Sequence, residues 1–393
     1  MIYVILFISA PFIADFYNLE ILDPVVRVMG LRIIVASVNS VQHSYVSRHM
    51  MFKKYFWSTF WGTLVSGVVG IWMAYMGFGV WALVAQYMTN TTIDTIVLFI
   101  TVHWRPTLQF SFERVKKLFR YGWKILFEGV SNTVHGQLVN LIIGKVYTSA
   151  DLAYYTKGQQ FPSLIVTNIT SSIGSVLFPA MADEQDDKER VLTMLRKAVR
   201  LSSYVVFPML IGLAAAARPF IMVVLTEKWE ETIPFLIAFC FLNLPTVGMI
   251  PRHQALNGTG RSDVFMNEHI VARIVSIILI VFTYKISILA ILIGGTLSTV
   301  ILTAIIAFTS NKYNGYKYRD QVIDVLPTII GCLLMGVPVY FISYLGLPDI
   351  IVLVLQVIVG ITIYVVYSQL AHIEEFDICK KYFDVLLGKV RRK

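Results

Sequence analysis

The chain has 393 residues, of which 56% are hydrophobic and 15% are charged, and its formal net charge is +9. Soluble domains carry roughly 25% charged residues, so this composition excludes an ordinary soluble protein. Apolar stretches of about 20 residues recur along the whole chain, and runs of this length indicate spanning helices, whereas barrel strands would be short and alternating. The sequence therefore predicts an all-α, polytopic membrane protein.

Twelve hydrophobic segments follow one another along the chain. We place them at residues 1–16, 24–45, 55–77, 79–103, 121–146, 150–180, 196–225, 231–254, 263–284, 286–310, 320–346 and 349–371. A spanning helix needs about 20 residues, so the first segment is too short to cross a bilayer alone. We therefore expect the sequence to begin inside a helix.

The basic residues predict the orientation of these segments. Most of the 33 lysines and arginines fall in every second loop and in the C-terminal tail, whereas the intervening loops hold only Lys145, Lys228 and Lys285. Because positively charged loops stay on the cytoplasmic side, we expect the basic loops and the C-terminus to be cytoplasmic. This topology accounts for the net charge, so we expect no nucleic-acid partner.

The chain also matches itself at a nearly constant offset. Residues 10–13 (APFI) resemble residues 218–221 (RPFI) at an offset of 208, and His43 corresponds to His253 at an offset of 210. The first four segments then repeat as the seventh to tenth, which gives a unit of six helices. An even number restores the same orientation, so we expect parallel repeats related by an axis along the membrane normal, as in many transporters.

This repeat predicts four regions and a missing beginning. The regions are a truncated N-terminal lobe of four helices (1–104), a C-terminal lobe of six helices (105–311), an appended helix pair (312–372) and a basic amphipathic tail (373–393). In the tail, Phe376, Cys379 and Phe383 share a helical face, which is typical of a helix lying on the inner leaflet. The partners of the fifth and sixth segments are expected before residue 1, so the two-lobed fold of 6+6 helices plus a pair lacks its first two helices.

Charged residues inside the predicted helices are the candidate site. A charge at a helix centre costs roughly 2.5–3.5 kcal/mol on insertion scales, so such side chains usually face a cavity or a partner. We predict a hydrated, cationic cavity between the lobes, lined by Arg32, Lys124, Glu128, His135, Lys157, Gln160 and Arg273. Asp94 and Glu128 are the candidates for coupling to an ion.

Plainer interpretations of these residues stay open. Lys124 and Glu128 are one helical turn apart and could neutralise each other, and His43 and His253 could be packing histidines. The three cysteines show neither CxxC nor metal-ligand spacing, and no catalytic constellation is present in the sequence. We therefore expect no cofactor, no metal and no enzymatic activity.

Five stretches carry a family resemblance. They are AYYTKGQQFPSLIVTNITSSIGSVLFPAMADEQDD from Ala153, GFGVWALVAQ from Gly77, FRYGWKILFEG from Phe119, RPFIMVVLTEKW from Arg218 and ALNGTGRSD from Ala255. Together they resemble the polysaccharide-biosynthesis flippases, of the colanic-acid exporter type, within the multidrug/oligosaccharidyl-lipid/polysaccharide exporter superfamily.

The resemblance implies a function. These flippases move a polyprenyl-diphosphate-linked oligosaccharide across the bacterial inner membrane by alternating access, for O-antigen, capsule or exopolysaccharide synthesis. Lipid-linked oligosaccharide, membrane lipids and polysaccharide polymerase and export proteins are then the expected partners. Two alternatives remain. A drug/cation antiporter of the same superfamily is favoured by an acidic cavity, and a membrane glycan polymerase is favoured by a large outer loop, whereas the predicted outer loops are short.

Overall fold

The computed structural model describes residues 2–102, 111–184, 187–258 and 262–381. These residues form fourteen α-helices and two short 3-10 helices. The chain divides into two compact units, here called unit 1 (Met1–Val130) and unit 2 (Ser131–Lys393), and the division falls within the fifth α-helix.

Unit 1 contains four complete helices and part of a fifth, and the third and fourth of them form its most extensive contact. Its elements are α1 (Ile2–Tyr17), α2 (Leu22–Arg48), α3 (Phe52–Tyr75), α4 (Val80–Thr101) and the first part of α5 (Phe112–Val146). Helix α4 packs against both α2 and α3, and α1 packs against α2. The buried face of α3 carries a small residue at every fourth position: Ser58, Gly62, Ser66 and Gly70.

Small residues let the backbones of α3 and α4 approach closely, as they commonly do between helices in membranes. A Cβ added at Gly62 would lie 3.1 Å from the Asn90 carbonyl oxygen and 3.3 Å from the Asp94 Cβ. A Cβ added at Gly70 would lie 3.1 Å from the Gln86 Cβ. This close contact fixes α4 and holds Asp94 in the interior of unit 1.

Unit 2 contains the remaining elements. They are the rest of α5, α6 (Ser149–Asp183), α7 (Lys188–Ala215), α8 (Ala217–Val224), a 3-10 turn (Glu227–Thr232), α9 (Ile233–Val247), α10 (Met249–Gly258), α11 (Ser262–Thr283), α12 (Ile288–Asn314), α13 (Tyr318–Ile342), a second 3-10 turn (Ser343–Leu345) and α14 (Asp349–Leu370). Leu210, Leu236, Met335 and Tyr364 bring α7, α9, α13 and α14 into its largest core cluster.

Two predicted segments are each broken into two helices, so the prediction of one continuous helix is wrong at both places. Segment 196–225 is α7 followed by α8, and segment 231–254 is α9 followed by α10. Pro219 and Pro251 each lie at the third position of the second helix. Proline lacks the backbone N–H that would continue the preceding helix and is tolerated in a first turn, which explains both breaks.

The helix bounds repeat along the chain as the sequence match predicts. Helix α2 runs from residue 22 to 48, and the α9–α10 pair runs from 233 to 258. Helices α3 and α4 begin at 52 and 80, and α11 and α12 begin at 262 and 288. The offsets lie between 208 and 211, so His43 and His253 occupy matching positions, each five residues before the end of its helix.

Six stretches of the described chain are long and apolar enough to cross a membrane. They are Leu22–Arg48, Lys188–Ala215, Glu227–Leu256, Ile288–Tyr313, Tyr318–Leu345 and Asp349–Leu370. Their outer faces carry exposed apolar side chains, such as Leu333 on α13 and Ile361 on α14. Large exposed apolar patches are unusual on soluble proteins and suit a lipid environment. The chain is a multi-pass membrane protein.

The start of the C-terminal tail differs from the prediction. Residues 374–381 are helical, but Phe376 and Cys379 pack against the core of unit 2, so the predicted lipid-facing role of these two side chains is wrong. Arg200 on α7 explains this placement, because it binds Glu375 at 2.6 Å and Glu374 at 3.0 Å. The rest of the predicted amphipathic helix lies outside the described residues.

Gly158 is expected to be essential for the contact between α6 and α9. A Cβ there would lie 2.7 Å from the Phe235 Cβ and 2.9 Å from the Leu236 nitrogen. Overpacking costs about 1–3 kcal/mol, which offsets or exceeds the roughly 1 kcal/mol that alanine gains over glycine in a helix. Gly158→Ala should therefore lower the thermal unfolding midpoint of the detergent-purified chain relative to Gly136→Ala, since Gly136 has nothing within 4 Å. Equal midpoints would contradict this packing.

Candidate functional site

A buried polar cluster in unit 1 joins α2 to α4; we call it the α2–α4 cluster (Arg32, Asn39, His43, Thr91 and Asp94). Asp94 is only 8% exposed, and its Oδ2 accepts a hydrogen bond from Asn39 Nδ2 at 2.6 Å. The same oxygen lies 2.7 Å from His43 Nε2. Further along the two helices, Arg32 Nε donates to Thr91 Oγ1 at 2.7 Å.

Helical spacing and two aromatic rings position this cluster. Residues 32, 39 and 43 are separated by seven and four positions, which places them on one face of α2. Residues 91 and 94 are three positions apart and share a face of α4. The Tyr55 ring meets the His43 ring edge-on with centroids 4.8 Å apart. The Arg32 guanidinium carbon lies 5.4 Å from the centre of the Tyr87 ring. Arg32 and Asp94, both candidates from the sequence, thus lie on the facing sides of α2 and α4.

Gln42 also lies on this face of α2 and was not among the predicted site residues. It is fully buried, and within the described structure neither its amide oxygen nor its amide nitrogen has a hydrogen-bond partner. Its spacing of three from Asn39 and its position inside an apolar segment were the signals that could have identified it. A buried amide without partners costs roughly 1–3 kcal/mol, which is unusual at a purely structural position.

A second buried carboxylate lies in unit 2, where α10, α11 and α12 meet. Glu268 is 3% exposed, and it accepts a hydrogen bond from Thr309 Oγ1. His253 Nε2 lies 3.6 Å from Glu268 Oε2, and the His253 and His269 rings have centroids 5.0 Å apart. Glu268 was not among the predicted site residues, because it lies near the start of its segment, where charges are common. The correspondence of His253 with His43 was the available signal.

Arg252 is a buried cation of unit 2 that was not among the predicted site residues. It lies within α10, inside the predicted segment 231–254, and is only 5% exposed. Its guanidinium carbon is 5.9 Å from the centre of the fully buried Tyr316 ring. Helix α10 ends eleven residues later in the chain than α9, and the two together correspond to α2 in the repeat.

Tyr316 and Arg196 share one buried carboxylate. Tyr316 donates its hydroxyl to Asp324 Oδ2 at 2.7 Å, while Arg196 donates through Nε and Nη2 to both Asp324 oxygens at 2.8 Å. Burial raises the pKa of the Tyr316 phenol, so this residue stays a neutral donor. The paired fork of Arg196 is the geometry in which arginine binds carboxylates most strongly. This cluster fastens α7 to α13.

The other predicted site residues are not brought into these clusters. Lys157 Nζ donates to Gln160 Oε1 at 3.1 Å and lies 5.9 Å from the centre of the Trp229 ring, so these two candidates do meet each other. Arg273 is half-buried on α11. Three candidates are carried by α5, but their side chains lie outside the described residues: Lys124, Glu128 and His135.

The sequence of the chain matches the model of a known protein family. A family model described as "Polysaccharide biosynthesis protein" matches residues 1–234. The chain belongs to this family. The resemblance predicted from the five sequence stretches is therefore confirmed.

Three relatives agree with the family. The chain is 27% identical over 211 residues to the succinoglycan biosynthesis transport protein ExoT of Rhizobium meliloti (strain 1021), covering 53% of this chain and 42% of ExoT. It is 25% identical to the teichuronic acid biosynthesis protein TuaB of Bacillus subtilis (strain 168), covering 67% and 55%. It is 23% identical to the lipopolysaccharide biosynthesis protein WzxC of Escherichia coli (strain K12), covering 85% and 70%. The chain thus spans about half the length of the first two.

A solved structure agrees with the fold. The chain superposes on the lipid II flippase MurJ, in an inward closed conformation, with a TM-score of 0.72. The match covers 94% of this chain and 80% of that chain at 14% identity. Such identity shows the fold alone. The predicted fold class, an all-α multi-pass transporter fold, is confirmed.

Proposed function

We propose that this chain translocates a polyprenyl-diphosphate-linked oligosaccharide across the bacterial inner membrane, as a step in surface polysaccharide biosynthesis. The observation that carries the proposal is membership in the polysaccharide biosynthesis family together with the fold of a lipid flippase. The names of the relatives, which concern succinoglycan, teichuronic acid and lipopolysaccharide, point to glycans as the cargo.

The chemistry of the described residues supports this class of substrate. A lipid diphosphate needs cations for its phosphates, and the attached sugars need amides and hydroxyls. Arg32, Lys157 and Arg273 are half-buried cations on helices of a membrane protein, and Lys157 lies beside the amide of Gln160. A charge within a membrane helix costs roughly 2.5–3.5 kcal/mol, so the presence of these three charges within helices favours a functional role for them.

Alternating access completes the proposal. The two lobes expose the head group first to the cytoplasm and then to the outside, while the polyprenyl chain stays in lipid. The basic loops and the C-terminus face the cytoplasm, in agreement with the positive-inside rule. The delivered oligosaccharide is then taken by polysaccharide polymerase and export proteins at the outer face.

Complementation tests this proposal. A strain that lacks its own oligosaccharide flippase but still makes the lipid-linked precursor receives the native gene, and surface glycan is measured with a lectin or antiserum. Rescue is the expected result. Failure to rescue, when the protein is present in the membrane and the precursor accumulates inside, would count against the proposal.

A drug/cation antiporter is the second candidate. The buried carboxylates Asp94 and Glu268 favour it, because an acidic interior attracts cationic drugs. Expression in a strain lacking its drug exporters distinguishes the two functions. The flippase proposal predicts unchanged resistance to cationic drugs, whereas raised resistance without glycan export would support the antiporter.

Lys157 is expected to contribute to the binding of the anionic head group. Lys157→Ala should lower surface glycan several-fold without lowering the amount of protein in the membrane, because an ammonium group bound to phosphate is lost. Lys228→Ala is the matched control, since Lys228 is an exposed lysine of the same unit. Equal glycan in both variants would remove Lys157 from the site.

A further inference from the structure

Two aromatic rings and two polar side chains meet at one end of unit 2; we call them the Trp229 cluster (Tyr154, Lys157, Gln160 and Trp229). The first three follow one another at three-residue spacing on α6, and Trp229 lies in the 3-10 turn that precedes α9. The Tyr154 and Trp229 rings meet edge-on with centroids 6.0 Å apart. Lys157 Nζ lies 5.9 Å from the centre of the Trp229 ring and donates to Gln160 Oε1 at 3.1 Å. An aromatic surface and a cation thus lie side by side.

The 3-10 turn holds the Trp229 ring in place. Arg218 on α8 binds Glu230 at 2.8 Å, and the Trp229 backbone nitrogen donates to the Thr226 carbonyl oxygen at 3.0 Å. The Trp229 ring also packs against the largest core cluster of unit 2. Thr226, just before the turn, has a φ of 80°, which β-branched residues rarely adopt. Strain of this kind persists only where the surrounding contacts impose it, and it is concentrated at functional sites.

The cluster carries polar groups that the described residues leave unpaired. Within the described structure, neither the Trp229 indole N–H, the Tyr154 hydroxyl nor the Gln160 amide nitrogen forms a hydrogen bond. An indole or phenol ring offers an electron-rich apolar face and one polar group at its edge. A pyranose sugar matches both features, because its faces carry C–H groups and its edge carries hydroxyls.

The side of α6 that carries the cluster is too polar to face lipid. Exposed polar residues continue along the same side of the helix: Thr167, Asn168 and Ser171. Such side chains on membrane helices usually face the protein interior or a water-filled cavity, because lipid offers them no hydrogen bonds. A tryptophan that anchors a helix at the membrane interface lies against lipid. Trp229 lies instead beside this polar side, where a water-soluble group can reach it.

The charges around Trp229 favour an uncharged ligand at the ring. The turn Glu227–Thr232 carries three glutamates and one lysine, and Glu230 is the glutamate that Arg218 binds. An acidic turn of this kind repels an anion. A cation is repelled by the Lys157 ammonium group, 5.9 Å from the ring centre. A sugar ring therefore fits on Trp229, and a phosphate fits on the Lys157 side.

We propose that the Trp229 cluster binds the first sugar of the lipid-linked oligosaccharide. The pyranose stacks on the Trp229 ring, and its hydroxyls bind the indole N–H and the Gln160 amide. Lys157 holds the phosphate that joins this sugar to the lipid. The inference rests on the proposed function and adds the group that recognises the sugar. The predicted topology places this end of unit 2 outside, so the site holds the sugar after it has crossed.

Binding of two lipids that differ only in the glycan tests the inference. The full chain in lipid discs is titrated with polyprenyl-diphosphate oligosaccharide, extracted from cells that make the glycan, and with polyprenyl diphosphate alone. The wild-type chain should bind the glycosylated lipid at least about tenfold more tightly, as expected for an aromatic anchor. Trp229→Leu, which keeps an apolar side chain, should remove this preference without changing the affinity for polyprenyl diphosphate. Trp229→Phe, which keeps an aromatic face, should retain most of it.

Two further variants are the controls. Trp72→Leu replaces a tryptophan that is 60% exposed on α3 in unit 1, and it should keep the wild-type preference. Lys157→Ala should weaken the binding of both lipids, because both carry the diphosphate. A wild-type chain that binds the two lipids equally, or a Trp229→Leu variant that keeps the preference, overturns the inference.

Fluorine NMR of wild-type chain labelled with 5-fluorotryptophan gives a second test, which does not need the Trp229→Leu variant to fold. The chain has seven tryptophans, and Trp229→Phe identifies the Trp229 signal. That signal should shift with the glycosylated lipid and stay with polyprenyl diphosphate; equal behaviour with both overturns the inference. A sugar preference without translocation in vesicles counts against the proposed function alone, and translocation without a sugar preference counts against the inference alone.

Discussion

Asp324→Ala is expected to lower the free energy of unfolding of the chain by about 2–4 kcal/mol. Asp324 is buried and accepts three hydrogen bonds, two from Arg196 and one from Tyr316. Breaking a buried pair costs about 3–5 kcal/mol because the remaining charge is left unpaired, and the partial exposure of Arg196 reduces this value. Thermal unfolding of the detergent-purified chain measures the loss as a lower midpoint.

Two further variants show which bonds matter. Tyr316→Phe removes one hydrogen bond and should cost about 1 kcal/mol. Asp377→Ala removes an exposed aspartate of the same unit and should change little. If Asp324→Ala unfolds at the same temperature as Asp377→Ala, the buried cluster does not fasten α7 to α13.

Asp94→Asn is expected to reduce surface glycan in complemented cells at least about tenfold, while the protein remains in the membrane. Asparagine keeps the size of the side chain but cannot carry the charge that pairs with His43. Asp94 Oδ2 accepts from Asn39 Nδ2 and lies 2.7 Å from His43 Nε2, so its replacement removes the group that joins α2 to α4. A hydrogen bond to a charged group contributes about 1.5–3 kcal/mol, and about 1.4 kcal/mol is a factor of ten, so we expect at least about a tenfold loss.

Asp15→Asn provides the matched control for export. Asp15 is an exposed aspartate on α1, so its replacement should leave surface glycan unchanged. Export by Asp94→Asn at the level of Asp15→Asn would show that the carboxylate of Asp94 is dispensable. Asp94→Glu should restore part of the export, because the carboxylate is kept at a slightly different distance.

The helices were predictable because each hydrophobic segment has about the length of a membrane-spanning helix. The segment predicted at residues 24–45 is α2 at 22–48, and the segment predicted at 349–371 is α14 at 349–370. The breaks at Ala216 and Gly248 were missed, because hydropathy is continuous across them and the deciding feature is the backbone effect of Pro219 and Pro251. A proline in a first turn and a proline that kinks one long helix have the same sequence pattern.

The candidate site was predictable only in part. Arg32 and Asp94 were found because a charge in an apolar run is conspicuous, and the structure adds the contacts that join α2 to α4. Arg252 and Glu268 were missed, because both lie near helix ends, where charges usually reach the membrane surface. Whether such a residue is buried depends on the helices packed around it, and that information is not local in the sequence.

Translocation in vesicles is the most direct measurement of the proposed flippase activity. The purified chain is reconstituted with lipid-linked oligosaccharide in both leaflets, and an impermeant glycosidase is added outside. We expect nearly all of the oligosaccharide to become cleavable in vesicles that contain the chain, whereas only the outer-leaflet fraction is cleaved in empty vesicles. Cleavage limited to the outer-leaflet fraction in both, with folded protein present, would contradict the assignment of this chain as a flippase.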